Sequence, residues 1–310
     1  MIVCCGEALI DFLPVVDAEG HKAYRPVAAG SVLNVALTLG RLGAPTAFFG
    51  GLSTDFLGDL LVKALAESNV SIAGLKRIPH PTTLALVDLS TGEPAYAFYD
   101  EASACRMFDP AAVTPLGDDV TALHFGSFPL GTEPVGSRLV AMIEANASRR
   151  VISLDPNIRP TLIADVAAYR ARLAAIVPLA DIVKTSVADL AWLHPGVDAD
   201  EVARAWLAAG VGMVVVTQGG EGAIGATKDV RVATPAVVTA VVDTVGAGDS
   251  FMGAMLTRLH ERGLLDREAI RALDRESLAD LLAFAAQVAA VTCSRAGADP
   301  PWRAEIATTA

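Results

Sequence analysis

The chain has few aromatic residues: they make up 5% of its 310 positions. Its core must therefore be aliphatic, which suits a buried parallel sheet with helices on both faces. Cysteine is also scarce. Cys4, Cys5, Cys105 and Cys293 contain no Cys-x-x-Cys pair. That excludes a disulfide scaffold, and the four read as reduced packing residues, with Cys4 and Cys5 pointing to opposite sides of one strand. The five histidines are scattered and form no ligand cluster. Basic runs are missing and the formal net charge is −11, which argues against non-specific binding to nucleic acid or anionic membranes. The N-terminus lacks a basic region followed by a long apolar run, and no uninterrupted span has the length of a membrane helix. A cytosolic protein that contacts neither nucleic acid nor membrane is expected.

What the chain does have is hydrophobic residues, 53% of the total, enough for a large core. Its most informative stretch is Val242-Asp-Thr-Val-Gly246-Ala247-Gly248-Asp249-Ser-Phe-Met-Gly253. The β-branched run from Val237 to Val242 ahead of it predicts a buried strand. Phe251, Met252, Met255, Leu256 and Leu259 follow at helical spacing. Glycines on either side of Ala247 let the backbone turn sharply at a helix N-terminus, where N–H groups and the dipole favour an anion. Two readings of Asp249 stand side by side. It caps the helix, or it is a base that takes a proton from a hydroxyl attacking phosphorus. The spacing fits neither a P-loop nor a dinucleotide fingerprint.

Asp243-Thr-Val-Gly-Ala-Gly-Asp249 resembles the C-terminal signature of the PfkB (ribokinase-like) carbohydrate kinases. The resemblance implies Asp249 as catalytic base, with the amides of Gly246, Ala247 and Gly248 holding the transferred phosphoryl group. Ala29-Gly30-Ser31-Val-Leu-Asn34, followed by Arg41-Leu-Gly43, is similar to the family's N-terminal Gly-Gly-x-x-x-Asn signature, with Ala29 in place of the first glycine. It implies Gly30, Ser31 and Asn34 at the sugar, together with Asp11 after the first strand. A carboxylate suits hydroxyl donors, since each oxygen accepts. Gly51-Leu-Ser-Thr-Asp55-Phe-Leu-Gly58 resembles the family's Gly-x-Asp-x-x-Gly segment, which implies backbone turns near the sugar and Asp55 as a helix cap.

Residues 82–99 alternate in character around Ser90-Thr-Gly-Glu93 and predict a hairpin. A lone hairpin is marginal, so it is expected to pair with about 12–27 as a small β lid. Phe98, with Tyr96 and Tyr99, packs against a sugar face, the core or a second subunit, and a homodimer through the lid is one expectation. Asp155-Pro-Asn-Ile-Arg159 follows a buried strand, where open sheets place ligands. Arg159 reaches the substrate or pairs with a carboxylate. Lys184 and Ser186 end the next strand, at the place of the family's Asn-x-x-Glu segment, which implies the ATP side; Ser186 also fits a plain helix cap with Asp189. Thr217, Gly219 and Gly222 resemble the family's nucleotide loop, and Ala285 and Gln287 belong to a small-residue helix similar to its adenine-side segment. Many relatives bind K⁺ near the start of the glycine loop, which makes Asp243 a candidate for a monovalent cation.

The expected architecture is one α/β domain over residues 1–310, a ribokinase-like three-layer α/β/α fold with a central, mostly parallel sheet and the small lid. The expected reaction is phosphoryl transfer from Mg·ATP to a sugar hydroxyl. Asp155-Pro-Asn-Ile-Arg159 and the opening Gly6-Glu-Ala-Leu-Ile-Asp11 look most like fructokinases. Asp100-Glu101 stands where ketodeoxygluconate kinases carry a cation, while Arg106 keeps that substrate open; ribokinase is a further alternative. A non-catalytic sugar or nucleotide sensor on the same fold is the reading from a different class.

Overall fold

Short aliphatic runs bounded by glycine or polar residues form the strands of the computed structural model, which describes residues 1–73, 75–88, 95–113 and 116–306. In chain order they are β1 (Ile2–Cys5), β2 (Leu9–Val16), β3 (Lys22–Ala29), β4 (Thr46–Phe49), β5 (Gly51–Ser53), β6 (Lys76–Ile78) and β7 (Leu84–Asp88). Then come β8 (Ala95–Tyr99), β9 (Ala122–Gly126), β10 (Val151–Asp155), β11 (Ile182–Ser186), β12 (Met213–Thr217), β13 (Ala223–Ala226) and β14 (Arg231–Thr234). The helices are α1 (Ser31–Arg41), α2 (Phe56–Glu67), α3 (Ala104–Met107), α4 (Val135–Asn146) and α5 (Val166–Ile176). They continue with α6 (Val187–Leu193), α7 (Ala199–Ala208), α8 (Ala247–Glu261), α9 (Arg267–Arg271) and α10 (Arg275–Cys293).

The main sheet has eight strands in the order β14-β13-β12-β11-β10-β9-β1-β4. Its pairings are parallel from β4 across to β12 and antiparallel only at β13 and β14. Side chains alternate across it, as the period of a strand requires. Ile2 and Cys4 face α1, α8 and α10, packing with Leu33, Met252 and Leu282. Val3 and Cys5 face the other layer, with Leu139, Leu173 and Leu190 of α4, α5 and α6. The two adjacent cysteines thus enter opposite cores, and all four cysteines are free. Where α1 crosses α8 the helices almost touch: a Cβ on Gly253 would stand 2.6 Å from Thr38 Cβ and 3.0 Å from the Val35 carbonyl.

A second sheet, β3-β2-β7-β8, is the expected hairpin paired with the 12–27 region, although its first two strands begin at Leu9 and end at Ala29. The turn predicted at 90–93 lies outside the described residues. β2 runs on to Val16 and does not end at Asp11, so Asp11 stands within the strand, beside Ala85 of β7, which is itself opposite Phe98 of β8.

Three expectations need correction. Val237 to Val242 is no strand: β14 is already the sheet edge, and beyond it the run crosses the surface with Val238 99% exposed. The amphipathic pattern from Asp165 to Ala180 predicts one helix over that range, but the helix stops at Ile176, because Pro178 turns the chain into a 3₁₀ segment, Val177–Leu179. Finally, α10 is long and apolar enough to cross a membrane by length and composition. It lies in the core instead, with Leu278, Leu282, Ala285 and Val288 fully buried.

Candidate active site

In the main sheet β1 has β4 on one side and β9 on the other, so the chain reverses its direction of travel across the sheet at β1. Open α/β sheets place ligands at the carboxyl ends of strands beside such a reversal. The segments following β1, β9, β10, β11 and β12 gather there, together with the N-termini of α1 and α8.

Gly246 is the N-cap of α8 and is left-handed, with φ 77°. A side chain there would collide with Ala298, whose Cβ lies 2.5 Å from the built position. The Ala247 N–H donates to the Thr244 carbonyl at 3.3 Å, within the turn itself. That leaves the Gly248 and Asp249 amides, at positions where a helix offers no acceptor of its own, for an anion. The Asp249 carboxylate makes no capping bond. It accepts instead from Ser31 Oγ at 2.6 Å, Asn34 Nδ2 at 2.8 Å and Asn157 Nδ2 at 3.2 Å. The capping reading of Asp249 is therefore set aside. The group is buried yet fully bonded, as a poised carboxylate must be.

Beneath this turn lies a buried ion pair, Lys184 Nζ to Asp155 Oδ2 at 2.7 Å. A Cβ on Gly248 would stand 2.8 Å from that Nζ, so only the bare backbone separates the ammonium from the anion turn. Burial works against the Lys184 charge, but the carboxylates of Asp155, Asp249 and Asp189 outweigh it and raise its proton affinity. Ser186 forms a reciprocal capping box with Asp189, whose other oxygen accepts from the Ile158 amide at 2.9 Å. Ser186 thus shapes the loop after β10 rather than presenting a free hydroxyl.

Asn157 is the hub of that loop. It holds φ at 35°, rare for a residue with a side chain, and its Oδ1 accepts from Arg159 Nη1 at 2.6 Å while its Nδ2 reaches Asp249. Arg159 is exposed and acts on Asp11 through charge: burial pushes the Asp11 carboxyl up to about 6, with Arg159 opposing. Phe98 packs 6.3 Å from Phe128 and stacks on Tyr96 at 5.9 Å. Gly30 is the N-cap of α1, with φ 118°. Glu7 joins it there, 1% exposed, with Oε1 accepting from the Ser31 amide at 2.8 Å. Glu7 and Asn157 were not singled out from sequence. Their signal was a polar side chain two positions past the end of a buried strand, β1 for Glu7 and β10 for Asn157.

On the other side of the glycine turn is a cavity of about 460 Å³, lined by Thr217, Gly219, Gly222, Val238, Phe251 and Ala289 among others. It reaches Ala247 and Gly248 at the turn. The exposed valines after β14 form its outer wall. From α10 it takes Ala286, Ala289, Ala290 and Cys293, one helical face. Ala285 and Gln287 are off that face, and Ala285 is fully buried in the core. Asp243 braces the loop, Oδ1 accepting from the Val245 amide at 3.0 Å and Oδ2 from the Gly297 amide at 2.8 Å. A smaller hollow of about 190 Å³ between α8 and α10 holds none of these residues, and Arg258 and Asp280 in it pair with each other.

The family model described as pfkB family carbohydrate kinase matches residues 1–305. A fructokinase of Rhizobium leguminosarum bv. trifolii is 46% identical over 278 residues, covering 90% of this chain and 85% of that protein. Among solved structures, fructokinase from Xylella fastidiosa with bound ATP superposes with a TM-score of 0.89 at 30% identity, covering 96% of this chain and 93% of the other. Fructokinase from Vibrio cholerae O395, in its fructose, ADP and calcium bound form, gives 0.83 at 27% identity, covering 96% and 94%. With a carboxylate set at a glycine-rich helix N-terminus and a match from end to end, the chain belongs to the pfkB family of carbohydrate kinases, ATP-dependent enzymes that phosphorylate sugars.

Proposed function

We propose that this carbohydrate kinase is a fructokinase, moving the γ-phosphoryl group of Mg·ATP to a hydroxyl of D-fructose. The observation that carries the kinase chemistry is the Asp249 carboxylate held beside the amide turn by Ser31 and Asn34. Asp249 takes the hydroxyl proton as the oxygen attacks. The Gly248 and Asp249 amides, with the Lys184 charge below them, stabilise the negative charge on the phosphoryl oxygens. Asp11 accepts from sugar hydroxyls, and the loop of Asn157 and Arg159 closes the far side. Thr217, Gly219, Gly222 and the alanine face of α10 take the nucleotide, and their small side chains leave room for a flat base.

Two metal ions belong to this reading. Among the described residues no group of three or more His, Cys, Asp or Glu is placed to hold a metal. Mg²⁺ therefore arrives with the triphosphate, as this ion commonly does, and spreads the phosphate charge. A monovalent cation fits beside Asp243, whose oxygens each keep a lone pair after accepting one amide. A potassium titration of kcat tests it.

Fructose is favoured by the named relatives and by the state of Arg106. Its Nε donates to the Glu133 carbonyl at 2.8 Å and its Nη1 lies 3.8 Å from Asp100. Asp100 is itself buried, accepting from Thr83 and Ser103. Arg106 is thus engaged, and a substrate carboxylate would have to compete for it. ADP release over a panel of fructose, ribose and ketodeoxygluconate is the decisive experiment. Fructose should give the highest kcat/KM; a preference for ketodeoxygluconate or ribose overturns the assignment, and turnover of none of them favours a sensor. The β3-β2-β7-β8 sheet is proposed to close on the sugar and, through exposed Tyr24 and Tyr99, to pair with a second copy. Slower hydrogen exchange in 84–88 and 95–99 with fructose would support closure, and light scattering would read the pairing.

A further inference from the structure

We propose that Glu7 is a positioning residue for phosphoryl transfer. It fixes the first turn of α1 so that Ser31 and Asn34 hold the Asp249 carboxylate in one orientation. The inference rests on the reading of Asp249 as the base.

The N-cap of α1 is Gly30, which has no side chain to satisfy the first amides of the helix. Glu7, from the link between β1 and β2, supplies the missing acceptor from 24 positions away: its Oε1 lies 2.8 Å from the Ser31 amide and 3.4 Å from the Val32 amide. The fit is close, since a Cβ on Gly30 would come within 3.2 Å of Glu7 Cγ. A larger N-cap residue would thus displace the carboxylate that takes over its task.

The residue whose N–H is clamped is the one whose hydroxyl reaches the base. Ser31 Oγ donates to Asp249 Oδ1 at 2.6 Å, and Asn34, one turn on, donates to Oδ2 at 2.8 Å. Without Glu7 the first turn of α1 loses its acceptor and is free to fray, and both donors move with it. Glu7 itself is 1% exposed and bonds to backbone, so it acts through Ser31 and does not touch the sugar. Burial, with the nearby Asp249 charge, pushes the Glu7 carboxyl up to about 8, so near neutral pH it serves the helix as a largely uncharged acceptor rather than as a counter-charge. Its second oxygen, Oε2, is buried and makes no hydrogen bond of normal geometry among the described residues, although the Ser127 hydroxyl is near enough to oppose the effect of burial on the group.

The test is steady-state kinetics on Glu7→Ala, Glu7→Gln and Asp249→Asn, with ATP binding by calorimetry to count competent sites and a thermal melt to establish folding. Loss of placement at the base should lower kcat per competent site about 10- to 100-fold in Glu7→Ala while KM for ATP stays within about twofold. Glu7→Gln keeps a carbonyl acceptor at the same reach and should recover most of that kcat. A purely structural role would lower the melting temperature and the count of competent sites but leave kcat per site unchanged. If Glu7→Ala does not fold, Glu7→Asp, which withdraws the acceptor by one methylene, is read in its place. A folded Ala or Asp variant with kcat per site near wild type overturns the proposal. So does a Gln variant as slow as Ala, because charge rather than the acceptor would then be responsible. Asp249→Asn separates the two levels of the argument: if it keeps its kcat, the base assignment itself fails.

Discussion

Ser31 Oγ and Asp249 Oδ1 are 2.6 Å apart, although 218 positions separate the two residues in the chain. The contact joins the first helix of the fold to the eighth, and the two signature segments to each other. It also shows that Asp249 is not the cap of its helix, because the donors to its carboxylate come from other elements and none from its own helix.

Replacing Asp249 by Asn tests the base. The Asn oxygen can keep Ser31 and Asn157, and Asn34 can rotate its amide, whose Oδ1 is buried without a partner, to meet the new NH₂. The variant should therefore melt near wild type and bind ATP normally. Its kcat should fall about 10²- to 10⁴-fold, the usual range for loss of a general base. A kcat near wild type in a folded variant would remove the catalytic assignment.

Gly248→Ala puts a methyl 2.8 Å from Lys184 Nζ, at the wall of the nucleotide cavity. The helix itself accepts alanine, so the expected damage is local. Overpacking of about 1–3 kcal/mol should appear as roughly a 5- to 150-fold weaker ATP affinity. Calorimetric titration with ATP reads it, and unchanged affinity would show that the ammonium is not tight under the turn.

Lys184→Met leaves Asp155 buried without its partner, at 0% exposure. Breaking a buried pair from one side costs about 3–5 kcal/mol. Adding Asp155→Asn should restore much of the stability, because no lone charge then remains, but should not restore kcat. Denaturant unfolding of the two proteins provides the comparison; equal stability of single and double variants would contradict it.

The Asp11 carboxyl, raised to about 6 by burial against the opposing charge of Arg159, gives a pH dependence. Tyr96 is the other titratable side chain that feels Asp11, and its own proton affinity is raised, so it stays neutral through this range. As pH falls through about 6, Asp11 takes a proton and loses acceptor capacity for sugar hydroxyls. The kcat/KM for fructose should then fall by up to about tenfold per pH unit below that point, while KM for ATP holds steady. In Asp11→Asn the same limb should vanish and KM for fructose should be higher throughout. A limb that persists in that variant would assign the titration elsewhere.

Much of this was legible in the sequence, because short apolar runs ending in polar residues mark buried strands and the edge where ligands gather. Asp155-Pro-Asn-Ile-Arg159 was found that way, while the glycine turn was found by its glycines and the helical spacing that follows them. The errors share a cause. Val237 to Val242 has the composition of a strand, yet it lies past the sheet edge, and its valines form the outer wall of the 460 Å³ cavity. The composition of α10 did not reveal which alanines face the cavity; its phase against α8 decides that, and it selects Ala286 and Ala289 over Ala285 and Gln287. Glu7 was hidden because its role depends on a helix that begins 24 positions later.

The tight crossing at Gly253 and Thr38 has a consequence for how such an enzyme can diversify. With no room for one methyl between α1 and α8, Asp249, its α1 donors Ser31 and Asn34 and the glycine turn are held as a single rigid unit. Asp11 and Phe98 sit on a different sheet, outside that crossing. Under the proposed assignment of Asp11 and Phe98 to the sugar, substitutions there would trade one sugar for another while the transfer step stays as it was, so new acceptors could evolve without rebuilding the chemistry.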